Sequence, residues 1–268
     1  MVQDQPDLQL GEVTLSDEEL ERYARHIVLR EIGGGGQARL KASSVLVIGA
    51  GGIGSPAIQY IAAAGVGRLM IVDDDRVDLS NLQRQTLFTT SDVGRSKAVA
   101  AAGRAEALNP KVEVSASQHR VDGGYVDDLV KGHDVVLDGT DNFATRLAVA
   151  DACLRHRVPL VSAAVAAFEG QLGVFRGWEA DKPCYRCFVG HDPERPEATC
   201  AEQGVLGALS GVMGSLAALE AIRALAPFGE DSAGKLLLVD ALAMRFRTLT
   251  LPKDPGCPAC GGGESYKS

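Results

Sequence analysis

VLVIGAGGIG occupies residues 45–54, a β-branched apolar run that ends in a glycine-rich turn. The run reads as a buried strand, and Gly49, Gly51 and Gly54 satisfy G-x-G-x-x-G between that strand and a helix of small residues. In this setting the motif has a mechanical meaning, because glycines let the backbone approach a phosphate at the positive end of the helix. Working outward, SVLVIG (44–49), RLMIVD (68–73), VEVSA (112–116), DVVLDGT (134–140) and PLVSAAV (159–165) read as strands separated by Ala-rich helical stretches. Near-continuous apolar strands alternating with helices indicate a mainly parallel sheet covered on both faces, a Rossmann-like α/β fold. After residue 170 the texture changes: QLGVFR (171–176), KLLLVDA (235–241) and FRTLTL (246–251) read as later, antiparallel strands, with a helix at about 209–226.

Ahead of the turn, Ser16 and Glu19 form a capping box that opens a helix at about 17–30. Gly33–Gly36 should interrupt any helix and serve as a loop. Residues 1–15 and 262–268 read as flexible ends around a single domain, 16–261, with a nucleotide half at about 16–165 and a second half at about 166–261. The stretch from about 190 to 206 has two prolines and no apolar period, a long loop of the functional or mobile kind.

The 268 residues are 46% hydrophobic, ample for a core, and carry a formal charge of -8. That acidity excludes a protein whose main task is neutralising nucleic acid. No apolar run approaches the roughly 18–20 residues that span a bilayer, and the acidic N-terminus is unlike an export signal, so a cytoplasmic protein without a membrane partner is expected.

The acidic cluster Asp73-Asp74-Asp75 lies where a strand-end carboxylate binds ribose hydroxyls. With the turn alone it would indicate NAD. Two features shift the ligand toward ATP. The segment Ser80-Asn81-Leu82-Gln83-Arg84-Gln85, with Lys97 beyond it, supplies cations suited to a triphosphate, whose reacting phosphorus needs charge dispersed around it. Asp141-Asn142 follows DVVLDGT at the carboxyl end of a parallel strand, where open α/β sheets hold ligands. Asp141 could hold Mg²⁺ there, while either residue could equally cap the next helix.

Six cysteines are too few for a disulfide scaffold of this length, so their spacing matters. Cys184/Cys187 and Cys257/Cys260 form two C-x₂-C pairs, a four-thiolate set suited to tetrahedral, structural Zn²⁺; redox dithiols are the alternative that a reducing compartment disfavours. Cys153 reads as an inert packed thiol. Cys200, in the long loop just ahead of a helix, reads as either an activated nucleophile or a spectator.

These residues together resemble the bacterial activating enzymes for ubiquitin-like sulfur-carrier proteins, the MoeB/ThiF/HesA group. The resemblance runs from about 16 to 261 through ERYARHIVLR, GAGGIGSPAIQYIAAAGVG, DDDRVDLSNLQRQTLF, DGTDNFATR, EGQLGVF, PCYRC, TCAEQGVLG, GVMGSLAALEAI and GCPAC, in order. It implies that the turn containing Gly52 carries ATP, that Asp73 binds its ribose with Asp75 beside it, that Asn81, Arg84 and Lys97 surround the phosphates, and that Asp141 works with Mg²⁺. It also implies that Arg25 reaches the triphosphate of a neighbouring subunit, hence a homodimer; otherwise Arg25 would pass for a solvated helix residue.

The implied reaction is adenylylation of the C-terminal glycine carboxylate of a small carrier ending in Gly-Gly, with release of pyrophosphate. The molybdopterin synthase small subunit is the expected carrier, and thiamine-pathway or tRNA-thiolation carriers are the alternatives. Cys200 matches a loop cysteine that some relatives link to the carrier. The chain leaves no room for the rhodanese domain of eukaryotic relatives, so sulfur is expected from a separate donor, a cysteine desulfurase or rhodanese-type protein. Two other classes compete: an NAD-dependent oxidoreductase or sensor, and a non-catalytic docking protein.

Overall fold

The computed structural model describes residues 13–121, 123–190 and 204–261. One eight-stranded sheet crosses the described chain in the order β3-β2-β1-β4-β5-β6-β7-β8. Its strands are β1 (Ser44–Ile48), β2 (Arg68–Val72), β3 (Glu113–Ser117), β4 (Val135–Asp138), β5 (Leu160–Ala166), β6 (Glu169–Phe175), β7 (Lys235–Asp240) and β8 (Arg245–Thr250). β1 to β5 pair in parallel, and β5 through β8 pair antiparallel, as the change in texture after residue 170 indicates.

Alternate side chains of the central strands explain the unbroken apolar runs. Val45, Val47, Leu69, Ile71, Val135 and Leu137 pack into one core, while Leu46, Ile48, Val72 and Val136 pack into another on the opposite face. The first core is covered by α4 (Gly54–Ala63), α5 (Lys97–Leu108) and α9 (Gly207–Leu225). The second is covered by α6 (Val126–Lys131), α7 (Phe143–His156) and the short α8 (Tyr185–Val189), which bury Leu129, Val130, Phe143, Leu147 and Tyr185. Cys153 is buried on α7, where burial pushes its thiol well above the ordinary range, as an inert packed thiol requires.

Three expectations need correction. The helix expected over 17–30 is two short pieces, α1 (Asp17–Arg22) and α2 (Ala24–Ile27), although the Ser16/Glu19 capping box is formed as expected. The break falls at Tyr23, whose ring is buried over Gly65 and whose hydroxyl accepts a hydrogen bond from Asn109 Nδ2 at 2.9 Å; seating that ring outweighs helix continuity. Gly33–Gly36 are not a loop but the first turn of α3 (Gly33–Ala42). Buried Gln37 and Leu40 anchor this helix, Gln37 donating to Ala64 O at 2.8 Å, so tertiary contacts override the poor propensity of glycine. An apolar run of membrane-spanning length does exist: α9 has 19 residues and a mean hydropathy of 1.4. It packs against α4, β4, β5 and β6, which accounts for its apolar character as that of a core helix.

Candidate functional site

The glycine turn is shaped by its own backbone. Gly49 leaves β1 at φ +88°, and a Cβ there would press on the backbone of Gly139 at 3.1 Å. A Cβ on Gly54 would collide with Gly49 O, so the turn closes only with glycine at both positions. Ala50 N and Asp75 N donate to the two oxygens of Asp73, at 2.7 and 2.9 Å, which fixes the acid at the tip of β2 against the turn. Burial raises the Asp73 carboxyl, and the charge of Lys97 and these two amides oppose the rise.

A cavity of about 530 Å³ opens at the carboxyl ends of β1, β2 and β4, at the point where the sheet's strand order reverses. Gly49, Gly51, Gly52, Asp73, Asp75, Ser80, Asn81, Arg84, Lys97, Asp141 and Asn142 all line it. Gly54 does not; it is buried in the turn and serves by its lack of a Cβ. At the cationic end, Lys97 opens α5 with its side chain only 7% exposed and its Nζ 2.8 Å from Asp75 Oδ2. Arg84 Nη1 donates to Ser80 O at 3.2 Å. Asp78, which the sequence reading missed, lines the cavity and accepts from Ser80 N and Ser80 Oγ, holding residues 79–81 in a 3₁₀ turn; the hydroxyl's hydrogen bond lowers its carboxyl. Asn142 caps α7 through Thr145 N at 3.0 Å, while the Asp141 beside it is exposed. Of the capping and ligand roles left open for this pair, the cap thus falls to Asn142.

Arg25 is exposed on α2 and does not line this cavity, so a single copy of the chain does not bring it to the other site residues. Cys200 lies outside the described residues.

Beneath the cavity floor runs a buried network that sequence reasoning also missed. Asp138 is fully buried at the end of β4, accepts from Thr140 N and Oγ1, and is raised by burial, against the pull of the Arg146 charge. Arg146 Nε donates to Thr140 O at 2.9 Å, and Tyr185 is buried beside Arg146 and Ser162. Arg146 ends the DNFATR stretch and Tyr185 sits inside PCYRC, so both lay within motifs already singled out. Asp141, Arg146 and Val165 border this cavity and also a second one of about 830 Å³, which runs along β5 to β8 past Phe188, Gln171, Leu238 and Arg245.

The four expected thiolates converge. The sulfurs of Cys184, Cys187, Cys257 and Cys260 all lie within 4.8 Å of one another, with Sγ to Sγ separations of 3.6 Å for Cys184 to Cys257, 3.8 Å for Cys184 to Cys187 and 3.4 Å for Cys187 to Cys260. Tetrahedral Zn²⁺ with bonds of about 2.3 Å sets sulfurs about 3.8 Å apart, so the donor set fits that ion. Arg186, between two of these cysteines, pairs with Asp151 of α7 through two contacts of 2.7 Å and ties the cluster to the helix that carries Arg146.

A glycine turn, an acid at the end of β2 and a buried lysine at the switch point of an open sheet are the features of an α/β nucleotide-binding enzyme. The chain belongs to the ThiF family, whose model matches residues 23–259. It is 47% identical to the SAMP-activating enzyme E1 of Haloferax volcanii over 94% of this chain and 92% of that protein. It is 46% identical to the sulfur carrier protein ThiS adenylyltransferase of Escherichia coli (94% and 99% covered) and 44% identical to that organism's molybdopterin-synthase adenylyltransferase (92% and 98%). The activity common to such relatives makes the chain an adenylyltransferase, an enzyme class that uses ATP. The fold is shared with E. coli MccB, solved with ATP, at a TM-score of 0.77 and 22% identity over 94% of this chain and 76% of that one.

Proposed function

We propose that this enzyme adenylylates the C-terminal glycine carboxylate of a small ubiquitin-like sulfur-carrier protein ending in Gly-Gly. The observation that carries this reading is the junction of the two cavities at Asp141, Arg146 and Val165. An extended chain end laid along the second cavity would deliver its carboxylate to the first. A terminal carboxyl has a pKa of about 3.5, is ionised at neutral pH and needs no general base. It attacks the α-phosphorus of ATP, and pyrophosphate leaves. Arg84 and Lys97 hold the phosphates and spread the charge that develops on them. Asp73 and Asp75 take the ribose side, and Ser80, Asn81 and Asn142 complete the walls. Asp141 is the ligand for Mg²⁺, which neutralises phosphate charge when bound. The four-cysteine cluster holds structural Zn²⁺ and closes residues 184–187 against 257–260.

Arg25 completes the site of a neighbouring copy, in a homodimer, a reading supported by its exposure outside the lining of its own cavity. Residues 16–261 act as one unit, the part before about 165 binding nucleotide and the rest binding carrier and zinc. The molybdopterin synthase small subunit is the first carrier to test, with thiamine and tRNA-thiolation carriers next, and a cysteine desulfurase or rhodanese-type protein would donate sulfur in the cytoplasm. Carrier-dependent exchange of pyrophosphate into ATP tests the reading, with mass spectrometry for any adduct on Cys200. No exchange with any Gly-Gly carrier of the host would overturn it.

A further inference from the structure

The long helix α9 contributes a feature that no nucleotide motif contains. Ser210 lies in its first turns, is fully buried and lines the nucleotide cavity, yet its Oγ has no hydrogen-bond partner. A serine inside a helix ordinarily spends its hydroxyl on the carbonyl one turn back, as Ser215 does in this same helix by donating to Gly211 O at 2.8 Å. Ser210 does not. Its Oγ instead faces the glycine turn, 3.1 Å from where a Cβ on Gly52 would stand. Gln85 stands beside the same turn: it is 3% exposed and lines the same cavity, and its amide donor Nε2 lies 3.7 Å from where a Cβ on Gly51 would stand, while its acceptor Oε1 is the atom without a partner.

Both side chains line the nucleotide cavity over adjacent glycines of the turn, and Ser210 belongs to the first turn of a 19-residue helix whose N-terminus has no side-chain cap. The first backbone amides of such a helix carry partial positive charge and seek an acceptor. A buried hydroxyl without a partner is costly, and an acceptor oxygen from a ligand removes that cost for Ser210. We propose that Ser210 and Gln85 bind a phosphoryl oxygen of the nucleotide beside the glycine turn, next to Arg84, whose side chain shares the space over Gly52 with Ser210. This rests on the adenylylation reading for its place in the reaction, though not for the anion site itself. The hydroxyl donates, and Gln85 donates through its amide nitrogen. The glycines at 51 and 52 then have a second purpose, since a side chain on either would fill the space between turn and helix.

The test uses the full chain and inorganic pyrophosphate. Because its hydroxyl is unspent in the protein alone, Ser210→Ala should leave the unliganded Tm unchanged or raise it. The same variant should weaken pyrophosphate-induced stabilisation and raise the KM for pyrophosphate or ATP in exchange about tenfold, the size of one hydrogen bond to a charged acceptor. The KM for the carrier should not move. Gln85→Glu, which sets a carboxylate against the phosphate, should lose more. AMP run beside pyrophosphate separates the phosphates: an effect confined to AMP assigns the α-phosphoryl oxygen, and one confined to pyrophosphate the β,γ end. Wild-type responses of Ser210→Ala to both ligands, or a fall of several degrees in its unliganded Tm, would overturn the proposal. Should the wild-type enzyme exchange with no carrier, the adenylylation reading fails, while the ligand-induced Tm shifts still decide this site.

Discussion

Lys97 Nζ lies 2.8 Å from Asp75 Oδ2, and the backbone of the same two residues is joined again, Lys97 N donating to Asp75 O at 3.0 Å. The pair links the end of β2 to the start of α5, with the lysine buried and the aspartate 68% exposed. A buried ammonium held at the cavity wall by one carboxylate is poised to receive phosphate oxygens. Lys97→Ala should lower the exchange rate on the order of 10²–10³-fold, the loss typical of one preorganised charge donor, with a smaller change in carrier KM. A rate within a few fold of wild type would remove Lys97 from the chemistry.

Asp141 and Asn142 are neighbours with separable tasks. Asp141→Ala should abolish exchange with little change in Tm, because its carboxylate is exposed. Asn142→Ala should cost about 1 kcal/mol through loss of the α7 cap and reduce activity less. Denaturant titration of both variants beside the exchange assay would show the reverse ordering if these roles are misassigned.

The four-cysteine cluster should contain one zinc ion per chain by elemental analysis. Cys257→Ser should lower stability by more than about 4 kcal/mol, since loss of a structural metal is among the largest single-site effects. The loss should reach the active site, because α8 and its N-cap carry two of the four cluster cysteines, Cys187 and Cys184, together with Tyr185, which is buried beside Arg146. Zinc-free protein with unchanged Tm and exchange would contradict this.

If Arg25 acts on the neighbouring copy, Arg25→Ala and Lys97→Ala should each be inactive alone yet complement each other. Random mixing in a symmetric dimer restores about a quarter of the wild-type sites, one intact site in each mixed dimer. Unmixed inactivity after refolding the two together would count against a shared site.

Asp92 supplies a pH signature away from the site. It is buried and accepts from Thr89 N, Thr89 Oγ1, Arg95 and Arg104, and the Thr89 amide leads in holding its carboxyl far below the ordinary range. A carboxyl depressed in the folded state contributes stability above its unfolded pKa of about 3.9, and that contribution disappears as pH falls through and below this value. Asp92→Asn should therefore be less stable by about 3 kcal/mol at pH 7 and lose less than wild type between pH 5 and pH 3. Parallel acid limbs in Tm against pH would refute the assignment.

Local chemistry made much of this legible before any coordinates. The strands of 44–49, 68–73, 134–140 and 159–165 announced themselves because both faces of each are covered, so nearly every residue is apolar. Gly49 and Gly54, the strand-end Asp73 and the paired cysteines were legible because each obeys a short-range rule of backbone geometry or ligand spacing. Tyr23 and the glycines of α3 were misread for the converse reason. Their conformations are decided by partners at Gly65, Asn109 and Ala64, which are remote in sequence and leave no periodic trace.

The amino-acid sequence by itself determined the parallel α/β sheet, the position of the nucleotide turn and the identity of the four thiolates. Only the tertiary structure decided that Asp138, Arg146 and Tyr185 form one buried network, that two cavities meet at Asp141, and that Ser210 faces Gly52 with its hydroxyl unspent. Strand patterns and turns follow from interactions among near neighbours, whereas a cavity wall is assembled from elements far apart in the chain. Whether a hydroxyl finds a partner there depends on distances that folding alone sets.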